Sequence, residues 1–303
     1  MVSLKNRVVI VTGGGRGIGR EHALYLAKHG ALVVVNDLGG SSDGSGSDKS
    51  AAEEVVSEIV AAGGTAVSNT DSVTDFKGAK AIVETAIDAF GDLHAVINNA
   101  GILRDHMLVS MTEEDFDLVV AVHLKGTFAV SKFAAEYWRD QHKSGKTVDR
   151  AIVNTSSAAG LHGNVGQTNY SAAKAGIAAM TIVHAQELSR YSVRANCIAP
   201  IARTRMTLQT PGLSDVMEKA VFDPGNISPL VSYLTADGCP FNGQVFSVYG
   251  GSVGIYQGWS IAEEVGTDNS WTMDKFAEEM DKLPRSVKVN SQMAAIVKAA
   301  TSS

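Results

Sequence analysis

Short apolar runs alternate with longer stretches of helical period along most of this chain. Runs rich in β-branched residues fall near 7–12, 31–36, 65–69, 93–98, 149–155, 193–199 and 244–248. Each reads as a strand buried on both faces. Between them the spacing predicts helices over about 17–29, 51–62, 74–90, 115–142, 167–190 and 228–236. Strand and helix in alternation predict an α/β fold, a doubly wound parallel sheet of seven strands in a single domain. Ligands of such sheets bind beyond the strand carboxyl ends. Thr12, Asp37, Asp71, Asn98, Ser157 and Pro200 all fall at those ends.

Three segments break the alternation. Residues 39–50, GGSSDGSGSDKS, read as a glycine-serine loop. It follows Asp37, and the sequence serves two readings equally: a loop arching over a bound ligand, or a tolerated surface insertion. Residues 201–227 contain Pro211-Gly212 and Pro224-Gly225 and little periodicity, the mark of a mobile loop. The pattern ends near residue 254, so 1–254 is expected as the sheet domain and 255–303 as a C-terminal extension. In the extension Trp259 and Trp271 precede a helical run from Thr272 to Lys282, expected to pack on the body or on a partner subunit.

Composition narrows the function. A chain of 303 residues can bury a substantial core. Mean hydropathy is +0.04, no apolar run reaches bilayer length, and Val8–Val11 is too short for a secretory leader, so no membrane is expected. A net charge of −6 argues against a nucleic acid partner. Cys197 and Cys239 have no metal-ligand or redox spacing, which predicts no metal site and a reducing cytoplasm.

The first strand runs into Thr12-Gly13-Gly14-Gly15-Arg16-Gly17-Ile18-Gly19 and then a helical pattern. Strand, glycine turn and helix form the context of a Rossmann dinucleotide fingerprint. The glycines allow a tight turn, and the helix N-terminus offers free N–H groups to a diphosphate. Asp37 lies 18 residues beyond Gly19, near the spacing of the carboxylate that binds an adenosine ribose. Such a carboxylate favours NAD, because it repels the 2′-phosphate of NADP. Arg16 pulls the other way, but Leu38-Gly39 supply no second base.

A second constellation lies downstream. Tyr170 and Lys174 are four residues apart and share a helix face, thirteen residues after Ser157. A phenol with a free pKa of about 10 is a poor base near neutrality. A neighbouring ammonium favours the phenolate, and Ser157 is placed to hold the substrate oxygen.

These motifs resemble the short-chain dehydrogenase/reductase family from about residue 4 to about 254: Thr12–Gly19, Asn98-Asn99-Ala100-Gly101, Ser157, and Tyr170 with Lys174. The resemblance implies strand order 3-2-1-4-5-6-7 and a Tyr base, with Ser157 and Lys174 as its catalytic partners. It implies an NAD site formed by Gly13, Arg16, Gly17, Ile18, Gly19, Asp37, Asp71, Asn99, Ala100, Gly101, Tyr170, Lys174, Pro200 and Thr204. It also implies a homodimer or homotetramer. One position departs: the family has Asn in the next helix, and here the segment reads Val122-His123-Leu124-Lys125-Gly126.

Asn36–Gly40, Asn98–Asp105, Val122–Leu124 and Gly163–Gln167 resemble a narrower group, the (3R)-hydroxyacyl-CoA dehydrogenase unit of peroxisomal multifunctional enzyme type 2 (17β-hydroxysteroid dehydrogenase type 4), in which that His is usual. The implied activity is NAD-dependent oxidation of a (3R)-hydroxyacyl-CoA, with a sterol side-chain acyl group as the favoured case. Arg203, Arg205 and Lys219 are then candidates for the CoA phosphates, and equally for solvated charges. The alternative is oxidation of a steroid ring alcohol, and a third reading is an NAD-sensing regulator.

Overall fold

The computed structural model describes residues 3–204, 207, 217–267 and 270–284. The chain divides into two units at Ile255. The first holds β1 (Val8–Thr12), α1 (Gly17–Lys28), β2 (Leu32–Asn36), α2 (Ser50–Ala61), β3 (Thr65–Asn69), α3 (Phe76–Phe90) and β4 (Ala95–Asn98). It continues with α4 (Glu113–Val120), a π-helical turn (Ala121–Lys125), α5 (Gly126–Lys143), β5 (Arg150–Thr155), α6 (Ala158–His162) and α7 (Thr168–Leu188). β6 (Val193–Pro200), α8 (Ser228–Thr235), β7 (Val245–Tyr249) and β8 (Ser252–Ile255) complete it. In the second unit, α9 (Met273–Met280) is capped by Thr272, and Trp271 packs edge-on to Phe276 at 5.4 Å.

The sheet order is β3-β2-β1-β4-β5-β6-β7-β8. The first seven strands are parallel, and β8 adds an antiparallel edge to β7. This corrects the expectation of seven strands. Ser252–Ile255 is exposed throughout, so no burial pattern announces it. Its signal is the turn: Tyr249 pairs with Ser252 across Gly250-Gly251, and Gly250 has φ +50°.

Alternate residues of each inner strand feed opposite cores. Val9 and Val11 of β1 join Val33 and Val35 of β2, packed under α1, α2 and α8. Val8, Ile10 and Val34 face α3 and α5, with Ala134 and Trp138 between. A parallel sheet covered on both faces needs apolar residues at successive positions, and this is why its strands read as continuous runs. The helical segment Glu113–Lys143 is long and apolar enough by composition to cross a membrane, contrary to the sequence expectation. In the fold it is interrupted by the π-turn, and Val119, Ala129, Val130, Ala134 and Trp138 are buried in the protein.

α1 buries His22 completely. Its Nδ1 bonds Ser228 Oγ at 2.9 Å, and its Nε2 has no partner among the described residues. Burial pushes the imidazole down to about 3, from an unfolded value near 6.5. The stability this group confers is therefore present above pH 6.5 and is lost as pH falls toward 3. By pH 4.5 the loss is roughly 2–3 kcal/mol. His22→Asn, which keeps a polar partner for Ser228, is expected to flatten the fall in unfolding free energy between pH 7 and 4.5. Urea titrations at several pH values check this, and equal slopes for the two proteins would refute it.

Candidate active site

The carboxyl ends of β1, β4, β5 and β6 meet at one edge, and the turn after β1 is the centre of it. Thr12 Oγ1 accepts from the backbone N–H of Asn99 (3.0 Å) and Ala100 (3.2 Å). Asn99 Nδ2 answers by donating to the carbonyls of Thr12 and Gly13, each at 3.1 Å. Gly13 has φ +64°, and a Cβ there would lie 2.8 Å from Ala100 Cα. A Cβ on Gly19 would strike the Gly13 carbonyl. The glycines thus let the turn, helix α1 and the segment 99–101 approach to backbone contact.

Arg16 is the N-cap of α1 and provides no side-chain cap, and the first turn holds no acidic residue. The N–H groups of Gly17, Ile18 and Gly19 are left as an anion site. Asp37, at the end of β2, accepts from Gly15 N (2.8 Å) and Gly39 N (2.7 Å). The turn therefore carries a diphosphate cradle with a carboxylate beside it, and a nicotinamide dinucleotide fits these residues. Thr204 borders the cradle, lying 3.7 Å from where a Gly17 Cβ would stand. A cavity of about 430 Å³ is lined by Gly17, Arg20, Arg203, Thr204 and Asp223. Pro200 ends β6, opposite Val248. Asp71 stands exposed past β3, and its carboxylate accepts from Asn69 Nδ2 at 2.8 Å.

Ser157, Tyr170 and Lys174 gather on the other side. Ser157 caps α6, its Oγ accepting from Ala159 N at 3.2 Å. Half-buried Tyr170 opens α7, its N–H bonded to Asn169 Oδ1 at 2.7 Å. Buried Lys174 donates from Nζ to the Thr155 carbonyl at 2.6 Å, and Nζ lies 5.5 Å from the Tyr170 ring centre. Here the electrostatics differ from the sequence expectation. Burial pushes the phenol up to about 12, although a hydrogen bond with Ser157 pulls it back. Burial likewise brings the ammonium down to about 8. Desolvation outweighs the hydrogen bond with Ser157, and the charge of Asp105 adds to it.

His123 sits in the π-turn, and its ring meets Tyr170 edge-on at 5.1 Å. Its Nε2 lies 2.8 Å from Ile102 O and 3.1 Å from Ile102 N. Nδ1 has no partner among the described residues. Burial, then the charge of Lys174, holds the imidazole well below the usual histidine range, so it is neutral. Gly101 is needed against it, because a Cβ there would enter the ring.

The segments quoted for the narrower resemblance converge. Gln167 Nε2 donates to Asp105 Oδ2 at 2.7 Å, and His106 bridges Gln167 through the backbone. Leu103 N donates to Ser42 O at 2.9 Å, and Arg104 Nε to Asp43 O at 3.0 Å. Residues 39–50 thus form a strap from the end of β2 to the segment after β4. Asn154, Asn169 and Thr181 were not singled out from sequence. Asn154 joins Asn98 (2.8 Å) to Thr181 (2.9 Å) inside the sheet edge. Its signal is a polar residue within β5, directly after the apolar run Ala151–Val153. Arg203 pairs with Glu218 at 2.6 Å, Lys219 is exposed, and Arg205, with Pro211-Gly212, lies outside the described residues.

Known proteins agree with this geometry. Among protein families, short chain dehydrogenase matches residues 7–211. A short-chain type dehydrogenase/reductase of Mycobacterium tuberculosis is 46% identical over 84% of this chain and 85% of its own. The hydroxyacyl-CoA dehydrogenase ChsB1 of the same organism is 44% identical over 82% of this chain and 79% of its own. A short chain dehydrogenase from Mycobacterium avium, solved by crystallography, superposes with a TM-score of 0.83 at 47% identity, covering 95% of this chain and 99% of that one. The peroxisomal multifunctional enzyme type 2 of Mus musculus is 44% identical, and the chain spans only 32% of its length.

Gly13→Ala is expected to weaken cofactor binding at least about tenfold, because it combines a positive φ with a backbone clash. Titration of protein fluorescence with reduced cofactor measures this, and an unchanged Kd would contradict the cradle.

Proposed function

The chain belongs to the short chain dehydrogenase family, and from that premise we propose that it oxidises the 3-hydroxyl of a (3R)-hydroxyacyl-CoA with NAD as cofactor. Family membership makes it an oxidoreductase working with a nicotinamide cofactor. The substrate, and NAD in preference to NADP, are the proposal. The observation that carries it is the meeting of Ser157 and Tyr170 with the Ile102–Asp105 and Gly163–Gln167 segments at one sheet edge. ChsB1, similar over most of both chains, is named a hydroxyacyl-CoA dehydrogenase. A sterol side-chain acyl group is the favoured case, supported by exposed Met107, Leu108, Val109 and Val165 on the segments flanking Asp105 and Gln167. Exposed Phe128 on α5, with Ile182 and Val183 on α7, supports a homo-oligomer. The two free cysteines, both buried, are compatible with a reducing cytoplasm.

Gly13 to Gly19, Asp37 and Asn99 to Gly101 would hold the cofactor, which supplies the hydride-accepting carbon. Tyr170 takes the proton of the substrate hydroxyl through its phenolate. Ser157 Oγ holds the same oxygen by a hydrogen bond and fixes its distance. Lys174 supplies the positive charge beneath Tyr170 and stabilises the phenolate as it forms. Because burial sets the phenol high, the base form grows with pH, and oxidation is favoured on the alkaline side of neutrality.

Tyr170→Phe is expected to lower kcat for oxidation by about 10²–10⁴-fold, with cofactor Kd little changed. Retention of more than about a tenth of kcat would remove Tyr170 from the role of base. A second assay tests the substrate. Followed by NADH absorbance, a (3R)-hydroxyacyl-CoA, including one carrying a steroid acyl chain, is expected to exceed a 17β-hydroxysteroid in kcat/KM. Remote contacts to CoA add binding energy that orients the reacting carbon. The reverse ranking would make the steroid alcohol the substrate.

A further inference from the structure

Arg16 lies in the glycine turn that Asp37 holds, and its partner bears on which cofactor the site accepts. It directly follows Gly15, whose N–H is held by Asp37 at 2.8 Å. A guanidinium in that neighbourhood is what recognition of a 2′-phosphate uses. Here the guanidinium is engaged: its Nη2 donates to Asp48 Oδ2 at 3.3 Å.

Asp48 is placed before it meets Arg16. It ends the strap, where its backbone N–H donates to Leu38 O at 3.1 Å. Its Oδ1 accepts from Ser50 N at 3.0 Å and from Ser50 Oγ at 2.6 Å, at the start of α2. These bonds fix one carboxylate oxygen and leave the other for Arg16. Asp37 is fixed in the same manner, by Gly15 and Gly39. One anchored carboxylate thus holds the guanidinium, and a second is anchored on the backbone of the same glycine turn. Together the three side chains carry one negative charge, where Asp37 and Arg16 alone would be neutral.

We propose that Asp48 is a second determinant of cofactor specificity: it holds Arg16 in an ion pair and so denies the guanidinium to a 2′-phosphate. The proposal rests on the reading of the site as NAD-specific. Asp48 acts through Arg16 and is a positioning residue. It is contributed by the strap, more than thirty positions from the glycine turn in sequence (16 to 48).

The competing account is an ordinary surface ion pair with local bonds to Ser50, its two side chains 36% and 50% exposed. Such pairs contribute little to stability. Asp48→Asn separates the two accounts, because the Asn carbonyl oxygen can accept the same two bonds from Ser50 while the side chain carries no charge. The measurements are kcat/KM with NADP and with NAD, and the Kd of NADPH by fluorescence titration. With Asp48→Asn, NADP efficiency is expected to rise roughly fivefold or more, an absolute gain that loosening the strap would not produce. NADPH should bind more tightly, and added salt should shrink the gain. Combining Asp48→Asn with Arg16→Gln should abolish it.

NADP efficiency that stays within twofold of wild type, or falls together with NAD, overturns the proposal. So does a gain that persists in the double variant, which would assign the effect to simple repulsion by Asp48. The NAD preference itself is read from the wild type alone, and the role of Asp48 from the change it makes, so either can fail without the other.

Discussion

Four hydrogen bonds between Thr12-Gly13 and Asn99-Ala100, three of them to Thr12, hold the site together. They close the gap between neighbouring strands β1 and β4, where the chain reverses its winding direction. A side-chain hydroxyl and a side-chain amide satisfy backbone groups that no ladder can reach past the strand ends. Unmade, those buried groups would each cost about 1–3 kcal/mol. Made, they fix the glycine turn against Ala100 with no room for a side chain, and α1 follows in a set direction. The cradle at the start of α1 and the segment leading to His123 therefore share one anchor.

From that anchor a second line of contacts reaches the candidate base. Ile102 is held by one backbone hydrogen bond with His123 Nε2, to its carbonyl or its N–H according to the tautomer, and His123 meets the ring of Tyr170. Asn98, one residue before the anchor, continues through Asn154 to Thr181 on the same helix as Tyr170 and Lys174. Both ends of the prospective reaction, the acceptor cradle and the proton acceptor, are thus indexed to the same two strands. Orientation of this kind is what a protein contributes when the cofactor carries the hydride chemistry.

The sequence was legible where local pattern and tertiary demand coincide. Continuous apolar runs such as Val8–Val11 mark strands because both sheet faces are covered. Gly13 to Gly19 were readable because their spacing is itself the turn. Ser157, Tyr170 and Lys174 were found together because the helix repeat brings two of them onto one face. What escaped is non-local. The strap composition reads as flexible, yet Ser42 and Asp43 are held by Leu103 and Arg104, some sixty residues away in sequence (43 to 104). The state of the Tyr170 phenol escaped as well, since burial is a property of the assembled fold. β8 went unseen for the opposite reason: its residues bury nothing, and only its Gly250-Gly251 turn gave it away.

The π-turn at Ala121–Lys125 has a bearing on how this chain tolerates change. A wider turn accommodates one more residue than the α-helical path would over the same arc, and such turns recur at functional sites. It works as a one-position offset between two screws of the same thread. Val119 before it and Trp138 after it are both buried. Removal of one residue from the turn would let ordinary α-helical hydrogen bonds run through the same arc, with Val119 and Trp138 still on the buried side. His123, carried by the turn itself, would lose its place against the Tyr170 ring. The extra residue therefore serves the site, and the core is kept with or without it.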